Sequence, residues 1–421
     1  MKTNDIILKK FFEKERWEYA IAKGIGKDIK KEKLRRLCSP HTRLAIYNAM
    51  VRGEYEIFPP HTAKIPKDVK GEYRTVYVNE AIDRIILSIA NDLLFELCAD
   101  MIHKRCTSYQ HGIGCGMVVQ DISRRIAEAN GAEIGFKADL SKYFDSVPRN
   151  FIHAEFDKVE ERYGYSTLID VLRKYYDCDI FFDEDKQLQS SFQSLKQGCS
   201  VASFLADCIL YELDEKMSKL DGYYVRYSDD IVFVGKDYKL AMLTLQEELA
   251  KRDMKLNPKK VEYLSSDTWF KFLGFSIKGE KISISSTRLK KFQREIEQCT
   301  IARKDNTLKK ATNAVYRYLY KGNGEFSWAT QILPVVNCKR DIDELNKFVM
   351  DALRAVATKK NDIGGLGYVR TKADGCIQRG KGRNVSANRK KIPHLEYITI
   401  GCLQNAIKTQ KAVYEAIVRT M

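Results

Sequence analysis

The sequence lacks paired cysteines, long apolar runs and low-complexity segments, and each absence argues against a class of protein. Its 11 cysteines include no Cys-x-x-Cys pair, so neither a zinc ribbon nor a thioredoxin-like site is expected. No apolar run reaches the roughly 18 residues that a membrane span requires, so we expect no membrane partner. The first residues do not form the apolar stretch of a signal peptide, and a cytoplasmic protein with reduced thiols is expected.

Acidic residues are outnumbered by basic ones. The 72 lysines and arginines exceed the 56 aspartates and glutamates, which gives a net charge of +16. Cationic side chains neutralise phosphates and release counterions, so this balance favours a polyanionic partner such as nucleic acid. A soluble basic protein without such a partner would show the same balance, so charge alone does not decide. The 421 residues are 44% hydrophobic, enough to build two or three domains with a sizeable core.

Hydrophobic spacing predicts helices towards both ends of the chain and strands between them. Residues 1–55 are charged and helical in pattern, and Tyr73–Val78 is rich in strand-forming residues. Residues 83–102 have the apolar spacing of a core helix. Two more helical stripes fall at residues 289–299 and 342–353.

Three aspartates follow or separate predicted strands. Residues 133–139 alternate apolar and polar side chains and end at Asp139, while Asp229 and Asp230 occupy a turn between two strand-like segments. Each aspartate alone is more typical of a cap or a solvated turn. If the strand and the hairpin are neighbours in one sheet, the three carboxylates converge. Such carboxylates can hold two Mg²⁺ ions against a triphosphate.

Two segments in this order resemble motifs of a known family. Ala138–Asp145 resembles the first palm motif of the reverse transcriptases, and Tyr227–Asp230 resembles their Tyr-x-Asp-Asp box. The resemblance covers about residues 60–280 and is greatest to the bacterial, group II intron-like branch. It implies an RNA-directed DNA polymerase that uses dNTPs, an RNA template and a DNA primer or product.

The resemblance also implies an α+β fold of the right-hand polymerase type. Residues 1–56 would form an N-terminal helical extension. Residues 57–280 would form fingers and palm, built from an antiparallel sheet plus helices. Residues 281–421 would form an all-helical thumb with a basic C-terminal RNA-binding region.

The resemblance assigns the metal ligands and a proton donor. Asp139 and Asp229 would ligate two ions of Mg²⁺, or Mn²⁺ in its place, with the backbone carbonyl of Leu140 as a further ligand. Asp230 would join the metal site and support it electrostatically. Lys260 matches the lysine of the fourth motif and would lie near the leaving pyrophosphate as a proton donor. A solvated lysine is the open alternative.

Five residues are implied in nucleotide binding. Lys67 and Arg74 resemble the fingers segment that grips the triphosphate, where arginine can form two parallel bonds to phosphate. Phe144 corresponds to an aromatic residue that stands under the sugar and blocks a 2′-hydroxyl. Gln197 and Gly198 resemble the opening of the second palm motif, which contacts the template and the incoming nucleotide.

The primer and the template have their own implied contacts. Phe272, Leu273 and Gly274 resemble the primer grip, and Tyr227 of the Tyr-x-Asp-Asp box joins them in primer or template binding. Residues 108–112 resemble a fingers strand that lies along the template.

Motifs that the sequence lacks narrow the choice among the branches of the reverse transcriptases. The sequence has no His-Asn-His nuclease tail, no RNase H domain and no Val-Thr-Gly retron signature, and Ala202–Ser203 stand where a common pattern has Ser-Pro. It is most similar to the stand-alone, defence-associated "unknown group" reverse transcriptases. That resemblance implies a dedicated, structured non-coding RNA template and a role against phage. The basic segment Arg370–Lys391 reads equally well as an RNA clamp or as a solvated loop.

Two other functions remain open. One is untemplated or protein-primed DNA synthesis on the same palm, with one of the 23 tyrosines as primer. The other is an intron maturase-like RNA-binding scaffold whose palm is vestigial.

Overall fold

A computed structural model describes most of the chain. The described residues are 4–25, 29–67, 71–110, 112–303, 306–319 and 327–357. The basic segment 370–391, predicted to be an RNA clamp, lies outside them.

Helices and strands are arranged along the chain much as the hydrophobic pattern predicts. The helices in the described ranges are α1 (Ile6–Phe11), α2 (Lys14–Lys23), α3 (Lys31–Leu37), α4 (Pro40–Val51), α5 (Ala81–Leu97), α6 (Cys115–Ala129), α7 (Tyr143–Ser146), α8 (Arg149–Tyr163), α9 (Thr167–Asp177), α10 (Val201–Cys208), α11 (Tyr211–Met217), α12 (Tyr238–Ala250), α13 (Ser286–Cys299), α14 (Leu308–Leu319) and α15 (Lys339–Ala357). The strands there are β1 (His61–Pro66), β2 (Tyr73–Val78), β3 (Gly135–Asp139), β4 (Ile180–Phe182), β5 (Leu188–Ser190), β6 (Tyr223–Tyr227), β7 (Asp230–Val234), β8 (Glu262–Leu264), β9 (Phe270–Phe272), β10 (Phe275–Lys278) and β11 (Lys281–Ile284). Short 3₁₀ turns occur at Ala99–Met101 and Pro258–Lys260, and a π turn at Trp328–Ile332.

The chain divides into two compact units whose limits differ from the predicted domains. The first unit contains Met1–Ile113 and Glu133–Leu264, and the second contains Gly114–Ala132 and Ser265–Met421. The helices of the predicted extension belong to the first unit because α1 packs on α5 and α9, and α2 packs on α5. Helix α6 belongs to the second unit because it packs on β10 and β11.

An antiparallel sheet forms the centre of the first unit, in the strand order β6-β7-β3-β8. Its central strands are buried almost throughout, and α12 packs on β3 and β7. A buried helix, α5, supplies Ile85, Leu93 and Leu94 to the same core, each with 0% exposure. Burial of each such side chain is worth about 1.5–3 kcal/mol, so α5 is a main source of the unit's stability.

A second sheet of the first unit has the order β2-β1-β4-β5. Strands β1 and β2 form an antiparallel hairpin in which Ile65 pairs with Arg74, and β4 joins β1 in parallel through His61 and Phe182. The hairpin is largely exposed. It therefore presents its polar and basic side chains to solvent.

The second unit combines a small sheet with helices. Its strands are antiparallel in the order β11-β10-β9, and α13 to α15 follow. Ser285 caps α13, since its hydroxyl accepts a hydrogen bond from Arg288 N (3.3 Å). The predicted thumb, residues 281–421, thus opens with strand β11 before its described part becomes helical.

Several predicted elements are confirmed and one is wrong. Residues 73–78 form β2 as predicted, and the predicted core helix 83–102 is α5, which ends at Leu97. Residues 108–112 were expected to form a strand, but their described part is irregular and Ser108 is fully buried. None of the described helices is long and apolar enough to cross a membrane.

Candidate active site

Asp139 and Asp230 lie opposite one another on neighbouring strands. Asp139 is the last residue of β3 and pairs in register with Asp230, the first residue of β7. Asp230 also pairs with Tyr227, the last residue of β6. The predicted neighbourhood of strand and hairpin is therefore confirmed, and the sheet alone brings two of the three aspartates together.

Asp229 is held beside them by the turn between β6 and β7. Ser228 adopts a left-handed backbone conformation (φ 57°), which closes the hairpin in two residues. The carbonyl of Asp229 accepts a hydrogen bond from Leu140 N (3.1 Å). Leu140, the predicted carbonyl ligand, thus lies directly against the turn that carries Asp229.

The segment around Lys260 is tied to the end of β3. Asn257 N donates to the carbonyl of Asp139 (2.8 Å), and Ser141 N donates to the carbonyl of Lys255 (2.8 Å). The ammonium of Lys260 donates to Asp139 Oδ2 (2.7 Å). The lysine predicted from the fourth motif therefore reaches the aspartate predicted from the first.

The aspartates influence each other's protonation. Burial raises the pKa of Asp229, and the negative charge of Asp139 adds to the rise. Burial also raises the pKa of Asp230 to about 6; Lys137 opposes this rise, while Asp229 and Asp139 reinforce it. Carboxylates this crowded repel each other, so an added cation between them is favoured.

The donor set suits a hard divalent cation. Asp139, Asp229 and the Leu140 carbonyl offer oxygen atoms, the ligands that Mg²⁺ and Mn²⁺ prefer. Among the described residues, no three His, Cys, Asp or Glu side chains form a preformed metal cage. The crowded carboxylates nevertheless fit such ions, with phosphate and water oxygens needed to complete their coordination.

The predicted triphosphate-binding residues lie on the β1–β2 hairpin. Arg74 is an exposed residue of β2, and its positive charge lowers the pKa of Asp229. Lys67 follows β1, and its ammonium lies 3.7 Å from a carboxylate oxygen of Glu72. Arg74 and Lys67 both lower the pKa of Asp145, which burial raises overall. The hairpin thus contributes positive charge to the region of the aspartates.

Gln197 and Gly198 join this hairpin to the first palm motif. Tyr77 N of β2 donates to the carbonyl of Gln197 (2.7 Å), and Leu195 N donates to the carbonyl of Phe144 (3.1 Å). Gly198 has φ +110°, and a Cβ atom there would lie 2.7 Å from the carbonyl oxygen of Tyr77. Glycine at this position is thus explained by close approach to β2.

Lys196 is a buried cation that the sequence analysis missed. It is 1% exposed, and its ammonium donates to Cys178 O (2.5 Å) and Gln193 Oε1 (3.1 Å) above the ring of Tyr175. Burial lowers its pKa to about 8. Its only sequence signal was its position next to Gln197.

Arg226 is a second buried charge that was missed. It lies in β6 one residue before Tyr227, is 0% exposed and forms an ion pair with Asp214 (2.6 Å). The signal was available, because an arginine inside an apolar strand requires a partner.

The predicted primer grip lies in the second unit. Phe272 ends β9, and Leu273 and Gly274 form a tight turn with φ values of 47° and 79°. Arg288 closes the turn by donating to the carbonyl of Leu273 (2.9 Å). The turn has a defined conformation, and its role in primer binding stays a prediction, as do the roles of the other site residues.

Comparisons with known proteins identify the family. Residues 65–277 match the family model described as reverse transcriptase (RNA-dependent DNA polymerase). No curated protein matches the chain significantly.

Solved telomerase structures are similar to the chain at low identity. Apo telomerase from Candida tropicalis lacking its C-terminal domain shows 14% identity and a TM-score of 0.40, over 59% of this chain and 60% of that one. Telomerase from Candida albicans with a fragment of telomeric RNA shows 11% identity and a TM-score of 0.41, over 78% of this chain and 64% of that one. Apo telomerase from Candida tropicalis shows 12% identity and a TM-score of 0.43, over 83% of this chain and 75% of that one. The chain therefore spans less than two thirds of the length of the first two telomerase chains.

The matched region contains most of the β2-β1-β4-β5 sheet and all three aspartates. It begins within β1, includes Asp139, Asp229, Asp230 and Lys260, and ends in β10. The family match confirms the predicted α+β polymerase fold. Because the model matches just over half of the 421 residues, this chain belongs to the reverse transcriptase family of RNA-dependent DNA polymerases.

Proposed function

We propose that the chain copies an RNA template into DNA at the site formed by Asp139, Asp229, Asp230 and Lys260. The observation that carries this proposal is the pairing of Asp139 with Asp230 across β3 and β7, with Asp229 hydrogen-bonded to Leu140. Two divalent cations, when bound, supply positive charge against the triphosphate. Asp139, Asp229 and the Leu140 carbonyl would hold them, and Mg²⁺ or Mn²⁺ suits these oxygen ligands.

The reaction joins a hydroxyl to the α-phosphate of a dNTP. A primer 3′-hydroxyl, or a substitute hydroxyl, loses its proton to solvent and forms the new P–O bond as the bond to pyrophosphate breaks. Lys260 donates a proton to the leaving pyrophosphate, a role supported by its location on Asp139. Arg74 and Lys67 bind the triphosphate, and Phe144 excludes a 2′-hydroxyl.

The template is a structured non-coding RNA. Support comes from the first unit, where α3 and the residue before it present five exposed cations without acidic partners among the described side chains: Lys30, Lys31, Lys33, Arg35 and Arg36. Three of them lie at the N-terminal end of the helix, where the helix dipole disfavours positive charge. A polyanion offsets that cost.

The biological role we propose is bacterial antiphage defence in the cytoplasm. It is supported by the resemblance to stand-alone defence-associated enzymes. The nine cysteines in the described ranges are free thiols, in keeping with a reducing compartment. Sequencing the nucleic acid that co-purifies with the protein tests the proposed dedicated template. A mixture of unrelated cellular RNAs would contradict it.

Primer extension by the purified chain tests the activity. With poly(rA), oligo(dT), dTTP and Mg²⁺, we expect incorporation that Asp229→Ala together with Asp230→Ala reduces at least about 1,000-fold. Glu161→Ala, which removes an exposed carboxylate of α8, is the control and should leave the rate unchanged. Undiminished incorporation by the double variant would refute the assignment.

Two alternatives are separated by the same preparation. DNA covalently attached to the protein, or synthesis without added RNA, indicates protein-primed or untemplated synthesis. Tight RNA binding without any nucleotide incorporation indicates a maturase-like scaffold. The intact aspartate set argues against the scaffold, because RNA binding alone has no use for crowded carboxylates.

A further inference from the structure

A short segment runs beside β6, behind the turn that carries Asp229. Arg226 N donates to the carbonyl of Arg105 (2.9 Å), and Thr107 N and Oγ1 both donate to the carbonyl of Arg226 (2.9 and 3.0 Å). The segment continues to Ser108, which is 0% exposed. Cys106 Sγ lies 3.4 Å from the Ser108 hydroxyl and is buried too.

Both backbone polar groups of Ser228 are held by side chains from this buried region. Its N–H donates to Ser108 Oγ (2.9 Å), and its carbonyl accepts from Arg226 Nη1 (3.2 Å). Ser228 is also the left-handed residue of the turn, a conformation that costs free energy for any residue with a Cβ. These two bonds therefore fix the backbone that Asp229 continues.

The side chains that hold the turn are themselves fully bonded. Arg226 donates from Nε and Nη2 to the two oxygens of Asp214 (2.7 and 2.6 Å), which is the fork geometry of a strong ion pair. Its Nη2 also donates to the carbonyl of Asp207 (2.9 Å). Ser108 donates to Asp207 Oδ1 (2.5 Å). Each side-chain nitrogen of Arg226 and the hydroxyl of Ser108 therefore has an acceptor.

We propose that Ser108 and Arg226 are positioning residues that set the affinity of the aspartate cluster for its divalent cation. Neither touches a substrate; they act through Ser228, whose backbone orients Asp229. Loss of the Ser108 hydroxyl leaves a buried N–H without an acceptor, and the strained turn can then relax and move the carboxylate of Asp229. This inference rests on the proposed metal site.

Two hydroxyl deletions in the same cluster separate positioning from general packing. Ser108→Ala removes the acceptor for Ser228 N. Tyr224→Phe removes a hydroxyl that donates to Asp214 Oδ1 (2.6 Å) but leaves every bond to the turn in place. A merely structural role predicts that the two variants behave alike.

Mn²⁺ binding to the full-length chain, measured by electron paramagnetic resonance, is the deciding experiment because it requires no catalysis. We expect Ser108→Ala to weaken binding about 10-fold, as loss of a group that orients a metal ligand commonly does, and Tyr224→Phe to stay within about twofold. Thermal melting should fall modestly in both variants. In primer extension, Ser108→Ala should lower kcat while the KM for dTTP changes little.

The outcomes distinguish this inference from the function on which it rests. If Asp229→Ala binds Mn²⁺ as well as the unaltered chain, the proposed metal site is wrong, and the positioning role with it. If Asp229→Ala loses binding while Ser108→Ala retains it, only the positioning role is overturned. Equal weakening by Ser108→Ala and Tyr224→Phe also overturns it.

Discussion

Residues at the site differ in how their positions are fixed. Asp139 and Asp230 are placed by strand register alone, because paired residues of antiparallel strands lie side by side. Asp229 depends in addition on a left-handed residue and on buried donors and acceptors. Conservative changes at the strand positions and at the turn should therefore have different consequences for metal binding and for folding.

Sugar discrimination is expected to depend on Phe144. Its ring is half-buried, and its backbone is held by Leu195. Phe144→Val shortens the side chain and should relax discrimination between dTTP and UTP by about 10- to 100-fold, the range that a steric contact can supply. The measurement is the ratio of kcat/KM values for the two nucleotides. Phe151→Val, at another half-buried phenylalanine, should leave the ratio unchanged.

Glu248 should make stability depend on acid. Burial raises its pKa, but hydrogen bonds from Lys216, Lys251 and Arg252 outweigh that effect and bring the pKa to about 2. A carboxylate whose pKa is lower in the folded chain than in the unfolded one stabilises the fold fully above pH about 4.5 and loses that contribution as pH falls towards 2.

Because the pKa of Glu248 is lowered in the folded chain, its contribution to stability should decrease as the pH falls. Glu248→Gln should lower the thermal midpoint at pH 7, and the difference from the unaltered chain should shrink as the pH is reduced to about 3. Its exposed neighbour offers the control, and Glu247→Gln should follow the unaltered chain. A difference that stays constant with pH would contradict this role for Glu248.

At the scale of elements, the contact between the Gln197–Gly198 segment and β2 explains why residue 198 is a glycine. Gly198→Ala adds a methyl group against the backbone of Tyr77, where nothing can move aside cheaply, in a backbone conformation that alanine rarely adopts. We expect destabilisation of about 2 kcal/mol or more and loss of dNTP affinity.

A second glycine isolates the conformational part of this effect. Gly164, at the end of α8, also has a positive φ (+79°), but no atom lies within 4 Å of an added Cβ. Gly164→Ala should therefore cost only about 1 kcal/mol and leave primer extension intact. Equal effects of the two substitutions on activity would show that the contact with Tyr77 is unimportant for nucleotide binding.

At the scale of the whole molecule, the location of the positive charge, rather than its total, should govern RNA affinity. Lys31→Glu with Lys33→Glu removes two cations of α3 that have no acidic partner among the described side chains. The pair of substitutions should weaken binding of an RNA stem-loop and lower the slope of log affinity against log salt by roughly 1 to 2. Lys236→Glu with Lys239→Glu changes the net charge equally and should alter neither. Fluorescence anisotropy over a KCl series measures both quantities.

The local parts of the molecule could be predicted from its sequence. Strand β2, the hairpin of β6 and β7 and the meeting of the aspartates follow from period-two patterning and from short motifs, both of which are legible along the chain. The partnership of Ser108 with Ser228 could not be predicted, because it joins residues 120 positions apart through backbone geometry. The grouping of α6 with residues beyond 264 was missed for the same reason.

The buried thiol of Cys106 can report how often its segment moves away from β6. Burial raises its pKa, so the thiol is unreactive while its segment lies against β6. Alkylation at this cysteine therefore requires the segment to detach, and its rate reports how often the segment moves away from β6 and the Ser228–Asp229 turn. Peptide mass spectrometry of the alkylated protein would time that opening.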